Sequence, residues 1–141
     1  GTVPAGDLVA LACSGQYAEK DLKKMLTGRG GMVAHLGTND MRETLKRVAA
    51  GDAKARLVFT AMVNTVAKQI GACAAVLKGR VDGIVLTGGL AYADEFIDGI
   101  EERVRFLGRV FVFPDENEMI ALAQAGLRVL RREEEARTYP S

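Results

Sequence analysis

The chain has 141 residues, 48% of them hydrophobic and 26% charged, with a formal net charge of +1. That size suits one domain with a core of its own. The near-neutral charge excludes the basic footprint of a nucleic-acid binder and gives no electrostatic attraction to a membrane surface. Cys13 and Cys73, the only two cysteines, have no paired metal-ligand spacing and make no disulfide framework, so a reduced, cytoplasmic setting is expected. No apolar run approaches the roughly eighteen residues needed to span a bilayer, and no basic-then-apolar leader opens the chain. A first residue of Gly1 rather than Met reads as a chain cut from something longer, or as one trimmed of a tag.

Taken in order, the run from Pro4 to Cys13 predicts a short helix, stopped by Ser14-Gly15. A second helix, Ala18 to Leu26, places Leu22, Met25 and Leu26 on one face and Lys20, Lys23 and Lys24 largely on the other. Thr27-Gly28-Arg29-Gly30-Gly31 breaks it. Backbone amides in such a turn can cradle an anion, although a plain helix-ending loop is the simpler reading. Met32 to Gly37 is apolar but too short to assign. The next helix starts at Asp40, whose carboxylate as N-cap, with Glu43 three residues on, forms a capping-box variant. It ends near Ala50, before Gly51-Asp52.

Residues 53 to 77 carry the longest helical pattern, with Val58, Met62, Val66, Ile70, Cys73 and Leu77 spaced three or four apart as the packing spine. Ala67, Gly71, Ala74 and Ala75 add a small-residue face that admits a close neighbour. After Lys78-Gly79-Arg80, the run Val81 to Thr87 reads as a buried strand that stops at Gly88-Gly89. Glycine at a strand's carboxyl end lets a ligand approach the backbone, and in open α/β sheets that end is where ligands sit. A mere tight turn is the alternative, since the spacing is neither Gly-x-Gly-x-x-Gly nor a Walker A loop.

Asp94 to Phe106 predicts a helix with Phe96, Ile97, Ile100, Val104 and Leu107 inward. Val110-Phe111-Val112-Phe113 is a second buried strand, ending at Pro114. Glu116 to Ala136 is a long helix using Met119, Ile120, Ala123, Leu127 and Leu130, followed by a frayed tail at Thr138-Tyr139. The order strand, helix, strand, helix implies a right-handed parallel βαβ unit preceded by several helices. Both strands are apolar on both faces, so they expect further strands beside them, on a missing segment or on another chain.

Three separated motifs keep one order: Gly30-Gly31-Met32-Val33-Ala34-His35-Leu36-Gly37-Thr38-Asn39-Asp40-Met41-Arg42-Glu43, then Val85-Leu86-Thr87-Gly88-Gly89-Leu90-Ala91-Tyr92, then Asn117-Glu118-Met119. Together they resemble the carboxyl-terminal part of the butyrate kinases, in the acetate and butyrate kinase family. The resemblance runs from Gly1 to about Arg132. It implies an α/β fold class, a ribonuclease H-like (actin-like ATPase) domain, here helix-rich with an incomplete sheet. The whole of 1–141 then forms one carboxyl-terminal nucleotide-binding domain.

The implied reaction is ATP plus butyrate, or a branched short-chain carboxylate, to acyl phosphate plus ADP. Asp40-Met41-Arg42 resembles the Asp-Phe-Arg segment that the acetate kinases place beside adenosine, with Met41 in place of Phe. Gly88, Gly89 and Leu90 resemble the superfamily's adenosine motif. An Asn that follows those glycines in acetate kinases falls at Ala93 here. The magnesium-associated acidic residue of the family falls near Asn117, with Glu118 as the expected metal ligand, since Mg²⁺ takes hard oxygen donors. The amino-terminal domain, with its phosphate loop and catalytic arginines, has no counterpart in these residues. The isolated chain is therefore expected to be inactive as a kinase, either completed by that half or forming a homo-oligomer, with no nucleic-acid or membrane partner.

Each assignment has a plainer rival. Asp40 can cap its helix, bind ribose, or do both with its two oxygens. Arg42 can be a surface cation, and an acidic residue in a first helical turn, such as Glu118, suits the helix dipole anyway. His35 has no ligand or triad partner at useful spacing and reads as structural. Tyr92 can stack on a base or cover the core. A non-catalytic module that binds a nucleotide or a partner is the competing function class, with a flavodoxin-like ligand domain behind it.

Overall fold

The computed structural model describes residues 3–114 and 118–136. Among these described residues, seven α-helices and two strands follow in the order α1 (Ala5–Cys13), α2 (Glu19–Thr27), α3 (Met32–Leu36), α4 (Met41–Ala49), α5 (Ala53–Val76), β1 (Ile84–Thr87), α6 (Asp94–Val104), β2 (Val110–Phe113) and α7 (Glu118–Leu130). A 3-10 turn, Gly89–Tyr92, sits between β1 and α6. The strands pair in parallel, Ile84 opposite Val110 through Thr87 opposite Phe113, so β1, α6 and β2 make the expected βαβ unit.

The centre of packing is α5, which lies against α3, α4 and α6. Val63 of α5 meets Phe96, Ile100 and Val104 of α6, Met41 of α4 and Ile84 of β1 in one buried cluster. Phe59 and Phe96 join the two helices edge to face, with ring centroids 6.3 Å apart, the geometry favoured by aromatic quadrupoles. Arg103 of α6 ties the same helices on their polar side, donating through Nε to Asn64 Oδ1 at 2.6 Å. Arg47 fixes the corner before α5. Its guanidinium pairs with Asp52 at 2.8 Å and donates to the Leu36 carbonyl at 3.0 Å, while Asp52 caps α5 through the Ala55 N–H.

The packing departs from the predicted spine. On α5 the buried residues are Ala55, Val63 and Ala74, whereas Cys73 and Leu77 are exposed. The helix is apolar nearly all round, so the apolar spacing alone fits more than one inward face. Of the predicted stripe, Met62, Val66 and Ile70 border the core, and Val58, Cys73 and Leu77 line open grooves. The same breadth gives α5 a mean hydropathy of 1.3 over its most apolar window, so by length and composition it can cross a membrane, contrary to expectation. Its contacts with three neighbouring helices are those of a domain's central helix.

Neither strand is buried as predicted. Ile84 is buried, but Val85 and Thr87 are exposed, as are Phe111, Val112 and Phe113. Alternation puts Val85, Thr87, Phe111 and Phe113 on the sheet face away from Ile84 and Leu86. On that outer face Arg109 lies over the Phe111 ring, 5.0 Å from its centroid, while Val85, Thr87 and Phe113 are exposed. On α7, Ile120, Ala123, Leu127 and Leu130 are likewise exposed rather than packed. The Met119 side chain and the tail at Thr138-Tyr139 lie outside the described residues.

Candidate functional site

The loop before α4 and the turn after β1 meet across a cavity of about 780 Å³, lined by Asp40, Met41 and Arg42 from one stretch and by Gly89, Leu90 and Tyr92 from the other. Its volume falls in the range of small-molecule sites. Five of the six residues that the sequence singles out for a nucleoside thus line one space. Gly88, the sixth, shapes the turn: at φ 89° and ψ 178° it holds a conformation open essentially to glycine alone. From there the chain drops into the 3-10 turn, closed by the Ala91 N–H to the Gly88 carbonyl at 2.9 Å.

Asp40 caps α4. Its Oδ1 accepts from the Arg42 backbone N–H at 2.8 Å and from Arg42 Nε at 3.1 Å, and Oδ2 accepts from Arg42 Nη2 at 2.8 Å. The carboxylate is therefore cap and ion-pair partner at once, with Oδ1 serving both and Oδ2 the ion pair. The predicted capping box does not close: the Asp40 N–H donates to Thr38 Oγ1 at 3.1 Å, not to Glu43. A hydroxyl two residues upstream satisfies that amide first. With three charge-assisted contacts from Arg42, the Asp40 carboxyl is lowered from 3.8 to about 2, since hydrogen bonds and a nearby cation favour the ionised form. Arg42 itself is shifted upward by the same partner.

Met41 borders two environments. It is only 6% exposed and belongs to the central core, reaching the cavity along one edge. Leu90, by contrast, is exposed at the wall. Asp94 and Glu95, at the start of α6, and Asn39 complete the polar lining. With Asp40 and Arg42 neutralising one another, the remaining charges at this end are carboxylates. Such a lining accepts hydrogen-bond donors, as on a ribose or an exocyclic amine, and directs an anionic tail elsewhere.

Glu118 opens α7, and its side chain, like the whole of Glu116 and Asn117, lies outside the described residues. Among the described residues no three His, Cys, Asp or Glu side chains converge as a metal-binding group. Both cysteines are free and exposed, and His35 is exposed beside a groove that Lys54 and Leu57 of α5 also line. The Gly28–Gly31 turn lines a separate, shallower pocket. Sequence reasoning missed Asp94 and Glu95 as lining residues; their place in the first turn after the glycines was the available signal.

The acetokinase family matches residues 3–137. A probable butyrate kinase 2 from Caldanaerobacter subterraneus subsp. tengcongensis is 49% identical over 139 residues, which is 99% of this chain and 39% of that protein. Among solved structures, acetate kinase from Porphyromonas gingivalis superposes with a TM-score of 0.75 at 24% identity, covering 90% of this chain and 39% of that one. A propionate kinase from Francisella tularensis subsp. tularensis gives 0.70 at 22% identity, covering 86% and 37%. These likenesses carry the expected fold, helix-rich and actin-like ATPase in type. The chain spans about two fifths of the length of the proteins it matches.

Proposed function

This chain belongs to the acetokinase family, and from that premise we propose that it is the carboxyl-terminal, nucleotide-binding part of a butyrate kinase-type enzyme. The observation that carries the reading is the convergence of Asp40–Arg42 with Gly89 and Leu90 on one cavity. Two stretches far apart in sequence, each chosen for a nucleoside, border the same space. The cavity accepts donors at its acidic end, so the base and ribose occupy it and the phosphates extend out of it, toward the part of the enzyme that holds the acyl substrate.

The proposed reaction transfers the γ-phosphoryl group of ATP to a short-chain carboxylate such as butyrate or a branched analogue. A carboxylate oxygen attacks the γ-phosphorus in line, the bond to the β–γ bridging oxygen breaks, and ADP leaves. Magnesium, expected for this chemistry, supplies charge neutralisation when bound, with Glu118 as its proposed ligand. The described residues contribute positioning, which is the larger share of what a phosphoryl-transfer enzyme does. Acyl recognition and the catalytic cations fall to the remaining three fifths of a full-length enzyme of the matched size. The chain on its own is therefore a binding half, placed in the cytoplasm with its substrates.

Calorimetric titration of the 141-residue chain with Mg-ADP tests the reading. The unsubstituted chain binds, and Gly89→Val, which puts a branched side chain into the cavity wall, weakens binding by about tenfold or more while leaving the circular dichroism unchanged. A folded chain that binds no ADP would sink the nucleotide reading. Kinase activity regained on mixing with an amino-terminal half separates an enzyme part from a non-catalytic module, which regains none.

A further inference from the structure

Tyr92 ends the 3-10 turn that follows the two glycines, and its side chain is the one residue of that turn left without an assigned role. The turn sorts its residues by direction. Ala91 is 4% exposed and packs inward, while Tyr92 is 64% exposed and lines the same cavity as Asp40, Arg42 and Leu90. With its ring turned outward, Tyr92 does not cover the core of this chain. The backbone that carries the ring is also held. Ala93, the next residue, donates its N–H to the Leu90 carbonyl at 3.1 Å, and its own carbonyl accepts from the N–H groups of Phe96 and Ile97, both anchored in the core. Tyr92 thus presents a large flat surface from a fixed backbone, at low conformational cost on binding a planar ligand.

We infer that Tyr92 is a stacking platform for the nucleobase, a role that rests on the nucleotide reading above. The described lining offers few flat surfaces. Met41 is committed to the core and Leu90 is aliphatic, which leaves the Tyr92 ring and the Asp40-braced guanidinium of Arg42 as the two planar faces at the cavity. Every nucleobase has a π-face, so stacking tolerates a change of base where hydrogen-bond readout does not. The position where acetate kinases carry a polar Asn is Ala93 here, which offers no polar side chain to the base. Asn39, Asp94 and Glu95 remain as polar groups of the lining, and the stack on Tyr92 adds a contact common to every base.

The test is isothermal titration of the 141-residue chain and its variants with Mg-ADP and Mg-GDP, each variant checked for native circular dichroism. Tyr92→Ala weakens ADP binding by about five- to a hundredfold, the range of a lost base–aromatic stack. It weakens GDP binding by the same factor, and Tyr92→Phe retains affinity for both. Tyr17→Ala, an exposed tyrosine away from the cavity, changes neither. If the unsubstituted chain binds ADP and Tyr92→Ala binds equally well, the stacking role is wrong and the nucleotide reading stands. Loss in Tyr92→Phe as well would assign the hydroxyl, not the ring, and overturn the inference. A folded chain that binds neither nucleotide overturns both.

Discussion

At the scale of single residues, Asp40 shows how one carboxylate serves the fold and the site together. Its native carboxyl titrates at about 2 against an ordinary 3.8, chiefly because the Arg42 side chain and then the Arg42 backbone N–H donate to the ionised form. Between those values the unfolded chain binds the proton and the native chain does not, so stability rises with pH across the window. The contribution is complete above about pH 4 and is lost as pH falls through about 2. Asp40→Asn keeps a cap acceptor, since Asn and Asp cap equally well, but cannot titrate or form the ion pair. Urea unfolding at intervals between about pH 4 and pH 2 should show a shallower fall for the variant than for the parent. Equal slopes would mean that the pair does not persist in solution. Much of this site was legible beforehand because it depends on local chemistry: a cap at Asp40, glycines at a strand end, a motif that names its neighbours. What the sequence does not show is that Met41 borders the cavity and the core together, because a methionine suits both and only packing shows it.

Elements were legible in kind and blurred in face. The predicted inward residues of α6 match the structure, with Phe96, Ile97, Ile100 and Val104 buried, because α6 has one apolar stripe and one charged side. The apolar surface of α5 has no such edge, so spacing selected a stripe beside the true one. The contact that sets the true face is Gly99 of α6 against Val63 of α5: a Cβ on Gly99 would lie 3.0 Å from Val63 Cγ1. Helix propensity alone makes Gly99→Ala favourable by about 1 kcal/mol. Val63 is 2% exposed and has little room to move, and overpacking a dense core costs about 1–3 kcal/mol. The clash should win, and denaturant unfolding should show Gly99→Ala destabilised by roughly 1 kcal/mol. In the Val63→Ala background the same substitution should be neutral or stabilising, because the crowded methyl is gone. A destabilisation unchanged by Val63→Ala would assign the cost to something other than this contact.

For the whole molecule, the two strands carry information that 141 residues do not use. Val110-Phe111-Val112-Phe113 is an apolar run suited to burial on both faces, yet Phe113 is 56% exposed and Val85, beside Phe111 on the same face, is 60% exposed. Among the described residues the sheet has two strands and open edges, with Arg109 over its outer face at Phe111, which makes a poor free-standing structure. Strands of this composition are those expected where more protein packs beside them, and the matched proteins are more than twice as long. Buried apolar surface contributes roughly 25 cal/mol per Å², so the chain alone should cover this face with another copy of itself. Sedimentation equilibrium should show average mass rising with concentration. The Val85→Asp, Phe113→Asp double variant, which places a charge at each of the two most exposed large apolar residues of the strands, should stay closer to 15.1 kDa. A matching amino-terminal half added in excess should compete with self-association, because both cover the same face. A parent chain that stays monomeric at every concentration would mean that the outer face is tolerated in water and that the apolar strands do not record a missing layer.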